Sequence, residues 1–235
     1  MKINSQHVID VLGADTSIND LDVMSYITIQ QKLQRDGINN ATINRVTSTL
    51  SVVVGEMVKH KQQSARIEFS LLPESKGKTL FYTEDEVSRI LEASKSMDGD
   101  SGQTFDLFFM AAKTGARQAE ILGLSWDAID FEANELTFFD TKNGDDRVLP
   151  LTPALRALLE RKYRDRTDEG RLFTMHPTTA LSRLRKIQKR LGISTKKCFH
   201  TFRHSAATLM FLNGAALPEV QEVLGHRDAA TTMRY

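Results

Sequence analysis

A chain of 235 residues can hold one large or two modest cores, and its 40% hydrophobic and 26% charged residues are ordinary for a soluble globular protein. No apolar run approaches the ~20 residues of a membrane span, residues 1–10 lack a signal-peptide core, and one cysteine excludes an internal disulfide, so a cytoplasmic protein without membrane contact is expected. The net charge of +1 hides an asymmetry: residues 77–141 carry 5 Lys/Arg against 13 Asp/Glu, whereas residues 142–203 carry 16 against 6.

Residues 1–75 read as helical throughout. Ser5 to Leu12 forms a weak helix closed by Gly13, and Asn19 to Asp36 a better one, with Leu21, Met24, Ile27 and Leu33 inward and a stop at Gly37. The clearest runs from Asn40 to His60, where Ile43, Val46, Leu50, Val53, Val54 and Met57 make the apolar stripe. Asn44, Arg45, Thr47, Ser48 and Lys59 fall on its other faces, which suit either DNA or water. Residues 64–82 break the pattern, and Leu72 to Thr79, with Pro73, Gly77, Lys76 and Lys78, reads as an interdomain linker whose lysines suit a phosphate backbone or plain solubility.

A second domain opens on the capping box Thr83 to Glu86, ahead of Val87, Ile90 and Leu91. After a polar loop, Phe105 to Ala112 is a buried helix that stops at Gly115. Arg117 follows at once, with Glu120 one turn on to orient it; taken alone, the two would be a surface ion pair. Glu135 to Phe139 and Arg147 to Leu151 are short strands around the turn signal Asn143-Gly144, with Lys142 at the start of the turn. Thr152-Pro153 caps a helix to Tyr163 with Leu155, Leu158 and Leu159 inward.

The next helix, Thr178 to Leu191, places Leu181, Leu184, Ile187 and Leu191 in the core. Arg183, Arg185, Lys186, Lys189 and Arg190 make a basic face fit for a groove or a phosphate backbone. Cys198 reads as a small buried hydrophobe. From Phe199 to Asn213, Phe202, Ala206, Leu209 and Met210 are core, while His200 and Arg203 lie near the helix start, where free N–H groups favour a phosphate. His204 takes a structural or supporting role one turn from His200. Pro218 opens a short helix ending at Leu224-Gly225, which leaves His226 just past it, and Asp228 caps the run that carries Tyr235.

Two imidazoles, guanidinium groups and a phenol make a phosphate site with a nucleophile beside it. Arg offers a fork of donors that keeps its charge, and a Tyr of pKa ~10 needs a base or cationic surroundings before it attacks phosphorus. Gly115-x-Arg117-x-x-Glu120, the hairpin Lys142, His200-x-x-Arg203, Leu224-Gly225-His226 and Tyr235 occur in that order. In these five marks the chain resembles the tyrosine recombinases of the phage integrase family, strongly over residues 80–235 and weakly over 20–75.

The resemblance implies a mainly α protein: a helical core-binding domain that clasps DNA (1–75), then an α+β catalytic domain (76–235) with a small antiparallel hairpin sheet. It implies a site-specific DNA recombinase working through a 3′-phosphotyrosyl intermediate, for integration or excision of a phage or other mobile element. Arg117, Lys142, His200, Arg203, His226 and Tyr235 would be catalytic, Glu120 and His204 supporting. Arg45, Lys76, Lys78, Arg183, Arg185, Lys186, Lys189 and Arg190 are DNA-binding candidates. His200 would take the phenolic proton and Lys142 would protonate the leaving 5′-oxygen, with neither metal nor ATP as cofactor.

Its partners would be duplex DNA with inverted core-type half-sites, three further copies of itself on two duplexes, and optionally DNA-bending accessory proteins, at the nucleoid. Chromosome dimer resolution and a non-catalytic DNA-binding accessory factor are the alternatives, and a type IB topoisomerase shares the chemistry. A zinc site at Cys198, His200, His204 and His226 would set Arg203 against the cation. Relatives usually continue past the tyrosine into a docking helix, so a chain stopping at Tyr235 is expected to be shortened, monomeric in solution and poor at strand exchange. Its terminal carboxylate would repel a phosphate ~4 Å away by about 1 kcal/mol in water.

Overall fold

Three amphipathic helices and a returning extended segment build the first part of the chain: α1 (Lys2–Leu12), α2 (Val23–Arg35) and α3 (Asn40–Lys59). The structure, a computed structural model, describes residues 2–60, 67–74, 77, 79–97, 102–139, 146–166 and 170–235, apart from the side chains of residues 2–4. Asp22, not Asn19, starts α2, because its carboxylate accepts the Ser25 N–H while Ser25 Oγ accepts the Asp22 N–H, a closed capping box. Met24 is 61% exposed, whereas Tyr26 and Ile29 join Leu21, Leu33, Ile43, Val46, Leu50 and Val54 in the core.

Two polar residues of α3 expected on outer faces are buried, Asn44 and Thr47. Asn44 imitates a strand neighbour: its Oδ1 accepts from Leu72 N and its Nδ2 donates to Leu72 O, both at 2.8 Å. Residues 67–74 are therefore fastened to the helices, with Phe69 stacked on Tyr26 at 4.4 Å and Gln30 donating to Ser70 O. The expected linker, Leu72 to Thr79, is thus corrected at its beginning, where Asn44 holds Leu72 and Asn40 donates to Pro73 O. Lys76 and Lys78 lie outside the described residues.

The chain divides into two compact units, Met1–Gly77 and Lys78–Tyr235. In the second, Thr83 and Glu86 close a capping box at the start of α4 (Glu84–Ser94). The apolar α5 (Gln103–Thr114) buries Leu107, Phe108, Met110 and Ala111, the first three worth up to about 1.5–3 kcal/mol each. It ends at Gly115, whose φ is +60° and where a Cβ would come within 2.7 Å of Leu224 and 3.2 Å of Ala206. No other residue allows both that turn and that approach.

After the short α6 (Gln118–Leu122), an antiparallel sheet runs β1 (Ile129–Asp130), β2 (Glu135–Phe138) and β3 (Arg147–Pro150), with Leu136 opposite Leu149 and Phe138 opposite Arg147. β1 is too short to show an alternation in sequence. The turn after β2, with Lys142, Asn143 and Gly144, lies outside the described residues. Thr152 caps α7 (Pro153–Arg164), which buries Leu155, Leu158 and Leu159.

His176 caps α8 (Pro177–Leu191), whose core face is Ala180, Leu184 and Ile187. Leu181 and Leu191, expected in the core, are only half-buried, and Gln188 is buried instead. Its amide donates to Tyr82 Oη and to the Ser194 and Lys197 carbonyls, tying the start of the unit to the loop before α9 (Thr201–Leu212). Cys198 in that loop is exposed, not buried. α10 (Leu217–Leu224) and α11 (Ala229–Thr232) complete a mainly helical fold with one small antiparallel sheet. None of the helices among the described residues is long and apolar enough to cross a membrane.

Candidate active site

Arg203 is a buried charged side chain of the second unit. α9 carries it inward until it is 1% exposed, and Nη1 donates to Gly115 O at 3.0 Å while Nη2 donates to Leu224 O. Both acceptors sit at helix carboxyl ends, of α5 and α10, where unpaired carbonyls and the negative end of the helix dipole favour a cation. Burial first, then Arg117 and Arg147, lowers its pKa to about 10, so it remains charged at neutral pH.

Arg117 occupies the N-cap position of α6 in extended backbone, and Glu120 one turn on accepts both its N–H at 2.9 Å and its guanidinium. Arg147, which the sequence offered only as a strand residue, completes the group. It is 6% exposed, donates Nη2 to Glu120 at 3.2 Å and Nη1 to Leu224 O at 2.7 Å, and lies over the Phe138 ring at 4.6 Å. Burial alone would raise the Glu120 pKa, but the bonds from Arg117 and the charges of Arg147 and Arg117 hold it below the usual range. A signal for Arg147 existed: the alternation of β3 sets Arg147 on the same inward face as Leu149.

Three guanidinium groups around one carboxylate leave an excess of positive charge beside an open cleft of about 530 Å³. Arg117, His200, Arg203, His204, His226 and Tyr235 all line it. His226 follows Gly225, whose φ of +63° ends α10 and packs the chain against Arg147. Its Nδ1 is 2.8 Å from Thr232 Oγ1, which turns Nε2 away from α11, and its ring lies parallel to that of Tyr235, 6.4 Å away. Burial, then Arg203 and Arg117, lowers its pKa to about 4.

His200 stands at the exposed rim, with its pKa also lowered to about 4 by partial desolvation first, then by His204 and Arg203. His204, expected to support from a distance, touches the phenol: its Nδ1 is 2.9 Å from Tyr235 Oη. The Tyr235 pKa is raised by burial, with Arg203 pulling the other way.

The other expected residues are placed less centrally. Arg185, Lys186, Lys189 and Arg190 are exposed along α8, but Arg183 turns inward and donates to Thr104 Oγ1 at 2.7 Å. Arg45 is exposed on α3 of the first unit. Lys142, Lys76 and Lys78 are outside the described residues.

The sequence profile of the family described as "Phage integrase family" matches residues 81–235. Among curated relatives, the tyrosine recombinase XerA of Saccharolobus solfataricus is 33% identical over 122 residues, covering 52% of this chain and 41% of that protein. The integrase of Escherichia phage P2 is 30% identical over 166 residues, covering 70% of this chain and 44% of that protein. The chain thus spans less than half the length of either relative. Among solved structures, a lambda integrase (75–356) dimer bound to a COC′ core site superposes with a TM-score of 0.82 at 18% identity, covering 100% of this chain and 86% of that one. The Tn1549 transposon integrase in complex with a circular intermediate DNA gives 0.80 at 16% identity, covering 100% and 88%. These two likenesses concern the fold.

Proposed function

Because the chain belongs to the phage integrase family, we propose that it is a tyrosine-type site-specific DNA recombinase that integrates or excises a mobile element. One observation carries this reading: Tyr235 lies in the same cleft as Arg117, Arg203 and His226. Tyr235 Oη attacks a scissile phosphorus and keeps the 3′-phosphate, and the 5′-hydroxyl leaves. Arg117 and Arg203 bind the non-bridging oxygens as charge builds on them, with His226 as a further donor, and Lys142 protonates the leaving oxygen. The bond energy stays in the phosphotyrosine, so the reverse attack by a partner 5′-hydroxyl needs no ATP.

In this reading the first unit clasps the duplex through the α3 face that carries Arg45, and four copies join two duplexes with inverted half-sites, at the nucleoid and with DNA-bending proteins where the site requires them. The second reading, chromosome dimer resolution, uses the same chemistry on a chromosomal site, and a footprint on DNA beside the gene separates the two. The reaction itself is tested by incubating the chain with a nicked duplex library of randomised core. A covalent protein–DNA band is expected, and it should be absent with Tyr235→Phe.

The exposed basic face of α8 adds a prediction about binding. Each neutralised phosphate contributes about 0.9 to the slope of log affinity against log salt. Arg185→Glu with Lys189→Glu should therefore flatten that slope for a duplex captured above, measured by fluorescence anisotropy. An unchanged slope would place this face in solvent.

A further inference from the structure

The imidazole in contact with the phenol is not the one that the sequence pattern nominates. His204 Nδ1 is 2.9 Å from Tyr235 Oη, whereas His200, at the N-cap of α9, meets only the edge of the His204 ring, at 4.8 Å and 90°. Among the described residues His200 has no hydrogen bond to Tyr235. His226 is not a competitor either, since its Nδ1 is taken by Thr232 and its ring lies flat beside the phenol at 6.4 Å. His204 also adjoins Arg203 in the chain, so the element that fixes the phosphate-binding guanidinium fixes this imidazole too.

The geometry points to His204 as the catalytic residue that takes the phenolic proton when Tyr235 attacks phosphorus, an assignment that rests on the reading of Tyr235 as the nucleophile. The Oη–P bond forms as the bond from phosphorus to the 5′-oxygen breaks. The Oη proton passes to His204 Nδ1, and the 5′-oxygen takes its own proton from the separate acid, Lys142. In rejoining, the 5′-hydroxyl gives that proton back as it attacks, the P–Oη bond breaks, and His204 returns its proton to the phenolate. His200, at the rim, is left free to donate to the phosphate or the sugar.

Electrostatics support the direction of transfer. Burial, then Arg203, holds the His204 pKa below its ordinary value, so its ring is neutral at neutral pH with a nitrogen able to accept. An anionic phosphodiester seated on Arg203 offsets that guanidinium and raises the proton affinity of His204 only when substrate is present.

Two measurements test the assignment. In the DNA-free chain, the ¹⁵N signal of His204 Nδ1 should shift in Tyr235→Phe, which removes the donor; an unmoved signal overturns the contact. With a duplex captured by the parent chain, His204→Ala and His204→Asn should cleave on the order of 10²–10⁴-fold more slowly. Asparagine retains an amide near the Nδ1 position, so it can hold Tyr235 in place without accepting a proton, and it serves if the alanine variant folds poorly.

Joining of a 3′-(p-nitrophenyl phosphate) strand to a 5′-hydroxyl bypasses the phenolic proton, because nitrophenolate leaves unaided. Both variants should therefore join it at the parental rate. Parental cleavage by His204→Asn, or equal losses of cleavage and of nitrophenyl joining, would overturn proton transfer to His204. A parent chain that captures no duplex at all instead defeats the nucleophile reading, and the proton transfer with it, leaving only the hydrogen bond.

Discussion

Arg203→Ala is expected to lower cleavage at least ~10²–10³-fold, the usual cost of removing one preorganised donor to a developing oxyanion. It should also weaken the stabilisation of the free protein by anions. Arg117, Arg147 and Arg203 surround the single carboxylate of Glu120, so the empty site holds unbalanced positive charge. An oxyanion that binds only the folded state stabilises it in proportion to its occupancy. Sulfate should thus raise the unfolding temperature of the parent chain more than that of Arg203→Ala at matched ionic strength. Arg203→Lys should fall close to the alanine variant in cleavage, because one ammonium cannot span Gly115 O and Leu224 O as the guanidinium does. Equal sulfate shifts in parent and Arg203→Ala would mean that the buried guanidinium is structural alone.

Lys142→Ala gives the second large effect. A general acid is needed only while the departing oxygen is a poor leaving group. The variant should lose cleavage on the order of 10²–10⁴-fold on an ordinary duplex and regain it on one with sulfur at the bridging 5′ position. Arg117→Ala should not be rescued by that substrate, since its task is the non-bridging oxygens. Rescue of both alike, read from the rates of covalent complex formation, would move the acid to another residue.

What the sequence could disclose is what short-range rules encode. The stripe of α3, the box at Thr83 and Glu86, the Thr152-Pro153 cap and the stop at Gly115 all depend on neighbours within a few residues, and each stands where the pattern put it. The helical class with one small sheet came from the family resemblance, and the structure bears it out. Asn44 did not read correctly, because the partner that buries it is Leu72, 28 residues away. β1 lacked the length to show any period.

The site divides along the same line. The order of boxes named Arg117, His200, Arg203, His226 and Tyr235, which line one cleft, but it could not say which nitrogen would face the phenol. His200 caps the start of α9 and His204 lies four residues on within it, and only the approach of the chain after α11 chooses between them. Arg147 escaped for a similar reason: its partners, Glu120 and Leu224, lie far from it in sequence.

In the proposed reaction Tyr235 becomes bonded to the 3′-phosphate of a cut strand. Peptide mass spectrometry of the covalent complex, after nuclease trimming, reads this directly. A nucleotide 3′-phosphate on the peptide that contains Tyr235, with a free 5′-hydroxyl on the released strand, is the expected result. An adduct on another residue, or a 5′-phosphate linkage, would contradict the account.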